Sequence, residues 1–579
     1  MKGFYNNLKY FLIFFILLFL FYYPKKYFKT IDTVNTRLLP ISILIEKNLN
    51  LDEFYGKPDN YLKENKNNPY AIYFPSDSFF EVQDKQGNIF YHPFIITIID
   101  NHIYSTFPYV YPILNLPFYV VFGLFFDLKQ ISFLDIIHPL SPLNQLDNFI
   151  AAFWTALSAV LLFYYIYQYI NQKVAYIILL IYVFASPALS LLSHNTWQHT
   201  LIVNAVLLLL ILLKKDSKYS ALAIGMILGI LPHIRPTTIF FYPLILLNFK
   251  KEFINYYIIG FLLLNIPFDI INLMVYDHIV GPYYLLHFHI LKNHHWRVDF
   301  LEAFLGLLVS PSRGLFLFLP YLLLLFLIPF KWKSLNTRKK EILVLLFIIL
   351  VYIFYYPTFP TWQGGSNYGP RFFTDLLPIF MILLAEITWA YYQNKIYKIS
   401  LFLLSLVAFF IHIQPNLNME FLNWDTCYLK NRDHVQKIWD WEYPVFLLNV
   451  YNAQLFWKEQ ISIKPEFLCI NPFYQLSYKN DAVQYNKEQL IKDQKFFLKD
   501  YLLFGKLLYL PKGKYRIELY EKHPQVELRF FYNKNLSYTK KETGVWELQT
   551  NQTKEDMLFF YSQEPIDFEL KELLIKRIK

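Results

Sequence analysis

Charge is scarce in this chain: only 17% of its 579 residues are Asp, Glu, Lys or Arg, well short of what a water-soluble surface carries. That shortage excludes an ordinary soluble enzyme, and the length excludes one compact core. Cysteine is scarcer still. Cys427 and Cys469 are the two present, with neither CxxC spacing nor histidines arranged around them as a zinc site. This excludes a zinc module and leaves at most one disulfide, if their region lies outside the cell. A basic face is missing too: the net charge of +10 comes from Lys and Arg scattered in short tracts between apolar segments. That is a pattern of membrane topology, and nucleic acid is not expected as a partner. No internal repeat, low-complexity tract or long flexible linker occurs.

What fills the chain is apolar and aromatic, 55% and 20% of the residues respectively. The runs 11–23, 174–184, 201–213, 342–356 and 401–411 are apolar on every side, so they leave no stripe to face water and belong in lipid. Eleven segments are expected to span: 8–28, 148–169, 173–191, 197–213, 219–234, 236–249, 253–274, 312–330, 341–357, 372–392 and 398–414, with 236–249 short for a bilayer that needs about 20 residues. Tyr22, Tyr23 and Pro24 offer no small-residue cleavage site, so the first reads as an uncleaved helix. The stretch 107–126 carries Pro108, Pro112 and Pro117 and is expected to be a poor continuous helix. If it lies on the outer surface, the loops 170–173, 214–218, 250–252, 331–340 and 395–398 fall on the cytoplasmic side with thirteen Lys or Arg, against five opposite them: Arg235, Lys292, Arg297, Arg313 and Arg371. That satisfies the positive-inside rule, although Lys25, Lys26 and Lys29 run against it.

The expected fold is therefore an α-helical polytopic membrane protein of about 11 transmembrane helices. Its N-terminus is cytoplasmic, and its outer loop 30–147 and C-terminal region 415–579 are extracytoplasmic. Strand-like alternation at 514–520, 526–532 and 545–548, with a Pro-Lys-Gly turn at Pro511, predicts a β-rich C-terminal domain, giving two domains, 1–414 and 415–579.

Five sets of residues could carry chemistry on the outer side. Asp32, just past the first helix, is placed either as a general base at the bilayer surface or as a solvated helix-end carboxylate. Arg37, five residues on, would pair with it or hold a phosphate. The uncharged tract 193–199, with Trp197, Gln198 and His199, either lines a cavity or forms an interfacial turn; its two histidines do not by themselves make a metal site. Arg235, Arg313 and Arg371 suit phosphate recognition, because a guanidinium stays charged and binds two oxygens at once; snorkelling to lipid headgroups is the alternative. Asp375 is expected to pair with Arg371 at i,i+4. His102 and Tyr104, near His92 and Asp100, either bind an acceptor or structure the outer loop. The tract 277–297 is rich in aromatics and histidine, for carbohydrate stacking or surface packing.

In order along the chain, the segments Asp32-x-x-x-x-Arg37, Tyr104-Ser-Thr-Phe-Pro108, Thr196-Trp-Gln-His199, Ile234-Arg-Pro236, Ser310-Pro-Ser-Arg-Gly314 and Tyr368-Gly-Pro-Arg371 resemble bacterial GT-C membrane glycosyltransferases of the family 39 and aminoarabinose-transferase-like kind, over about residues 25–392. The resemblance implies a polyprenyl-phosphate sugar donor, an extracytoplasmic glycan, lipid or protein acceptor, and a multi-pass protein among the lipids of a bacterial plasma membrane. It implies Asp32 as base or acceptor-orienting group, with the arginines on the donor phosphate. No cofactor is certain, and a divalent metal is compatible with it. The sequence departs from the pattern twice: Trp197-Gln198-His199 stands where relatives often place a second acidic residue, and Thr106-Phe107-Pro108 where some have Lys-Pro-Pro. A non-catalytic lipid-linked saccharide transporter or envelope-assembly scaffold would share the spans and the arginines.

Overall fold

The computed structural model describes residues 14–23, 31–55, 79–83, 89–93, 95–131, 141–283, 299–333, 335, 338–359, 361–365, 367–417, 437–441, 444–447, 460–463 and, with gaps, 495–578. Its contacts divide the chain into two units, residues 1–59 with 94–416 and residues 60–93 with 417–579. Cys427, Cys469, Lys292 and the tract 294–297 lie outside the described residues.

The first unit is helical. Its main helices are α1 (Val34–Ile45), α2 (Val110–Gly123), α3 (Pro142–Tyr169), α4 (Gln172–Phe184), α5 (Gln198–Leu212), α6 (Lys218–Ile234), α7 (Ile254–Tyr276), α8 (Phe300–Val309), α9 (Lys339–Tyr355), α10 (Leu377–Ala390) and α11 (Lys395–Leu417). Among the described residues five helical segments are long and apolar enough to cross a membrane: Pro142–Tyr169, Lys251–Tyr276, Lys339–Thr358, Arg371–Ala390 and Lys395–Asn416. Each coincides with an expected span. Arg371–Ala390 is almost wholly buried and forms the centre, whereas α7 buries little and turns Ile259, Leu263, Ile266, Ile270 and Met274 outward. Apolar faces of that kind are stable against acyl chains and not against water. Residues 14–22 are helical and lay Phe15 and Phe19 against Phe153 and Phe149 of α3.

Several expected spans are not regular α-helices. Pro236–Leu247 is a 3-10 helix of 12 residues; at about 2.0 Å per residue it reaches roughly 24 Å, which compensates for a segment short as an α-helix. Pro320–Leu327 and Arg371–Leu376 are also 3-10, and Ala188–Leu192 is a π-helix turn. Prolines at 236, 243 and 320 remove amide donors and favour such departures. The stretch 107–126 corrects the sequence expectation in the other direction. It holds a continuous helix of 14 residues, α2, because Pro112 falls in the first turn, where no donor is needed, and only Pro117 interrupts the ladder.

The pair α6 and α7 packs closest. Gly225 and Gly229 face the carbonyls of Tyr257 and Phe261, while Gly260 faces that of Leu222, and a Cβ at any of the three would overlap backbone. Small residues four apart permit this approach. Near α1, a hairpin pairs Ile96–Ile99 with His102–Ser105, turning through Asp100 and Asn101, both at positive φ. Asn35 of α1 donates to Ile95 O and ties the hairpin to the helix.

The second unit is described mainly as strands. Phe79–Gln83 pairs with Ile89–Pro93, and the C-terminal part contains Leu502–Leu510, Gly513–Leu519, Val545–Thr550, Lys554–Tyr561 and Leu573–Ile578 in antiparallel sheets.

Candidate functional site

Chain segments far apart in sequence converge at one end of the first unit. Asp32 lies in the 3-10 turn Ile31–Thr33 that leads into α1. Trp197 caps α5, whose first residues are Gln198 and His199. Arg235 caps α6, Tyr356 follows α9, and Arg371 to Asp375 lie in the 3-10 segment that enters α10. Glycines 364, 365 and 369, all near φ +70, bend the loop that delivers Arg371, and at Gly369 a side chain would also meet the Phe318 ring.

Arg371 is the hub. Its Nη1 lies 2.6 Å from Asp32 Oδ2 and its guanidinium sits 4.5 Å above the Trp197 ring. Behind it a second ion cluster is closed to solvent. Asp375, fully buried, accepts from His199 Nδ1 at 2.6 Å and from Arg235 Nη1 at 3.4 Å. The buried carboxylate needs a donor, which places the imidazole proton on Nδ1. Arg235 Nη1 is 3.2 Å from both ring nitrogens of His199, so the guanidinium lies against the ring instead of pointing at one lone pair. Arg235 also covers Phe372 at 5.2 Å, and Arg371 reaches the same ring at 5.8 Å. Trp197 and His199 complete the circuit with ring centroids 5.8 Å apart. Two guanidinium groups are thus held between aromatic faces, each beside its own carboxylate. Tyr283 donates to Gln198 Oε1, and burial pushes its phenol up to about 12.

Donors are left over here. Arg371 Nε and Trp197 Nε1 are buried with no acceptor among the described residues. A buried N–H without an acceptor costs about 1–3 kcal/mol, and an anion would remove that cost.

The other sequence candidates make contacts within the protein. Arg37 is fully buried and donates to Thr33 O and Asn144 Oδ1, linking α1 to α3; the expected pair with Asp32 gives way to Asp32–Arg371. Arg313 gives Nε, Nη1 and Nη2 to the carbonyls of Gln363, Ser312 and Gly365, so it shapes the loop behind Arg371. Tyr368 donates to Ile411 O at 2.6 Å. His102 Nδ1 meets Asp52 at 2.6 Å, Tyr104 packs edge-on to Tyr276, and burial followed by the charges of Asp52 and Asp100 raises the Tyr104 phenol. The expected i,i+4 pair of Arg371 with Asp375 does not form, because a 3-10 helix aligns i with i+3.

Sequence reasoning missed Asp147, which accepts from Thr196 N at 3.2 Å and from the Thr196 hydroxyl and so fixes the residue before Trp197. A lone carboxylate at the start of an apolar span was the available signal. Tyr283 was hidden inside the aromatic tract. Among the described residues no three His, Cys, Asp or Glu side chains assemble as a metal-ligand group.

No family model matches the chain, and no curated protein matches it. Among solved structures it is similar to the crystal structure of ArnT from Cupriavidus metallidurans bound to undecaprenyl phosphate. The identity is 10% and the TM-score 0.35, over 76% of this chain and 75% of that one.

Proposed function

We propose that this protein is a membrane glycosyltransferase that moves a sugar from a polyprenyl-phosphate-linked donor to an extracytoplasmic glycan, lipid or protein. The observation that carries the reading is the part-buried Asp32–Arg371 ion pair, 22% and 16% exposed, with the Arg371 Nε and Trp197 Nε1 donors beside it lacking an acceptor among the described residues. One Nη1–Oδ2 contact holds the pair, so a phosphate that offers the guanidinium two oxygens at once can displace the carboxylate. Asp32 and Arg371 neutralise each other. When donor binds, its phosphate oxygens take Arg371, including Nε, and the Trp197 N–H. Asp32 is released beside the reacting centre.

The acceptor O–H or N–H then attacks the anomeric carbon as the bond from that carbon to the phosphate oxygen breaks. Asp32 receives the acceptor proton, and the phosphate leaves with its growing charge held by Arg371 and Arg235. One displacement at carbon inverts the anomeric configuration. The same reading places the protein in a bacterial plasma membrane with its N-terminus cytoplasmic, and assigns residues 415–579 to a β-rich extracytoplasmic domain.

The test compares cells carrying wild type, no protein or Asp32→Asn, by mass spectrometry of surface glycans and polyprenyl-phosphate-sugar pools. If Asp32→Asn is made at normal levels, a glycan modification disappears and a lipid-linked sugar accumulates, as in the deletion. If it behaves as wild type, Asp32 is structural and a transporter or scaffold role replaces the transferase.

A further inference from the structure

We propose that Asp375 is a specificity-determining residue that sets the charge the site accepts, so that a singly charged phosphodiester donor binds and a doubly charged phosphate monoester is disfavoured. This rests on the polyprenyl-phosphate reading above. The two carboxylates of the site differ in one respect. Asp32 is 22% exposed and Asp375 is 0% exposed. Asp32 can leave its arginine when a ligand arrives, but Asp375 is enclosed by His199, Arg235 and the core of α10 and cannot.

Counting charges follows from that difference. The arginine and carboxylate charges sum to zero: Arg371 and Arg235 against Asp32 and Asp375. Without Asp375, two adjacent guanidinium groups would present a surplus suited to a dianion. With it, once Asp32 has swung away, the surplus is one and matches a sugar–phosphate–prenyl diester. Transfer breaks the sugar–phosphate bond and turns the diester into a monoester of nearly two charges at neutral pH. When Asp32 gives up its proton, its returning charge weakens the hold of the two arginines on the product. The fixed carboxylate thereby favours donor over product and favours product release. Asp375 acts through Arg235 and His199 and does not touch the ligand; its substitution by Asn keeps the side chain's size and one oxygen for His199 Nδ1, and removes the charge and the second acceptor that faces Arg235.

The experiment measures binding of three lipids with the same prenyl tail to the full-length protein in detergent at about pH 8: a polyprenyl-phosphoryl hexose, the polyprenyl phosphate and the neutral polyprenol. Wild type binds the diester more tightly than the monoester, and both more tightly than polyprenol. Asp375→Asn shifts the monoester-to-diester affinity ratio about tenfold toward the monoester, and Asp375→Glu restores the wild-type ratio. A ratio unchanged in Asp375→Asn overturns the inference. So does a wild-type preference for the monoester, which needs no variant to observe. If wild type binds neither phosphate lipid better than polyprenol, the transferase reading fails and this inference with it.

Discussion

The helical unit has an ionic cluster at each end of the same helices, and the two differ in what they leave unsatisfied. α5 has His199 in its first turn and is followed by Lys214; α9 has Glu341 in its first turn and is followed by Tyr356; the segment entering α10 holds Asp375, and Glu386 lies near the other end of that helix. At the Lys214 end the charges close on one another. Lys214 meets Glu341 at 2.6 Å, Tyr165 donates to the same carboxylate, Arg338 meets Glu386, and no buried side-chain donor is left over among these residues. At the Asp32 end Arg371 Nε and Trp197 Nε1 have no acceptor among the described residues. A buried donor without a partner calls for an explanation, and at the Asp32 end the one proposed is an incoming anion.

The largest effect expected is at Arg371. Arg371→Gln should lower sugar transfer by about 10²–10³-fold, measured in membranes supplied with lipid-linked donor, and Arg371→Lys should recover only part of it, since an ammonium cannot reproduce the planar fork. Gly229→Leu probes the packing on which both ends depend. It drives a side chain into Phe261 O and should destabilise the protein by about 3 kcal/mol, seen as a lowered thermal midpoint in detergent. Glu341→Gln breaks the closed cluster alone. Removing one partner of a buried pair costs about 3 kcal/mol or more, and with Lys214 27% exposed we expect about 2 kcal/mol and unchanged transfer. Equal losses of transfer in Glu341→Gln and Arg371→Gln would erase the distinction between the ends. Tyr368→Phe should cost about 1 kcal/mol by orphaning Ile411 O and leave donor affinity unchanged.

Much of this was legible in the sequence, and the rest was not for definable reasons. The five long spans follow from uninterrupted apolar runs, and Asp32, Trp197, His199, Arg235 and Arg371 stand out as polar groups at the ends of such runs. Arg37, Arg313 and Arg371 look alike in sequence, however, because what separates them is which carbonyls and carboxylates already accept from them. Arg313 is consumed by three backbone oxygens contributed mainly by a loop some fifty residues away. Asp375 could be placed only once Arg371–Leu376 proved to be 3-10, which turns its side chain toward His199 and Arg235 instead of Arg371.

The most direct measurement is the equilibrium binding of polyprenyl phosphate to the purified full-length protein, comparing wild type, Arg371→Gln and Glu341→Gln. The account predicts that Arg371→Gln weakens binding by about tenfold or more while Glu341→Gln binds as wild type does. Wild-type affinity in Arg371→Gln would contradict it.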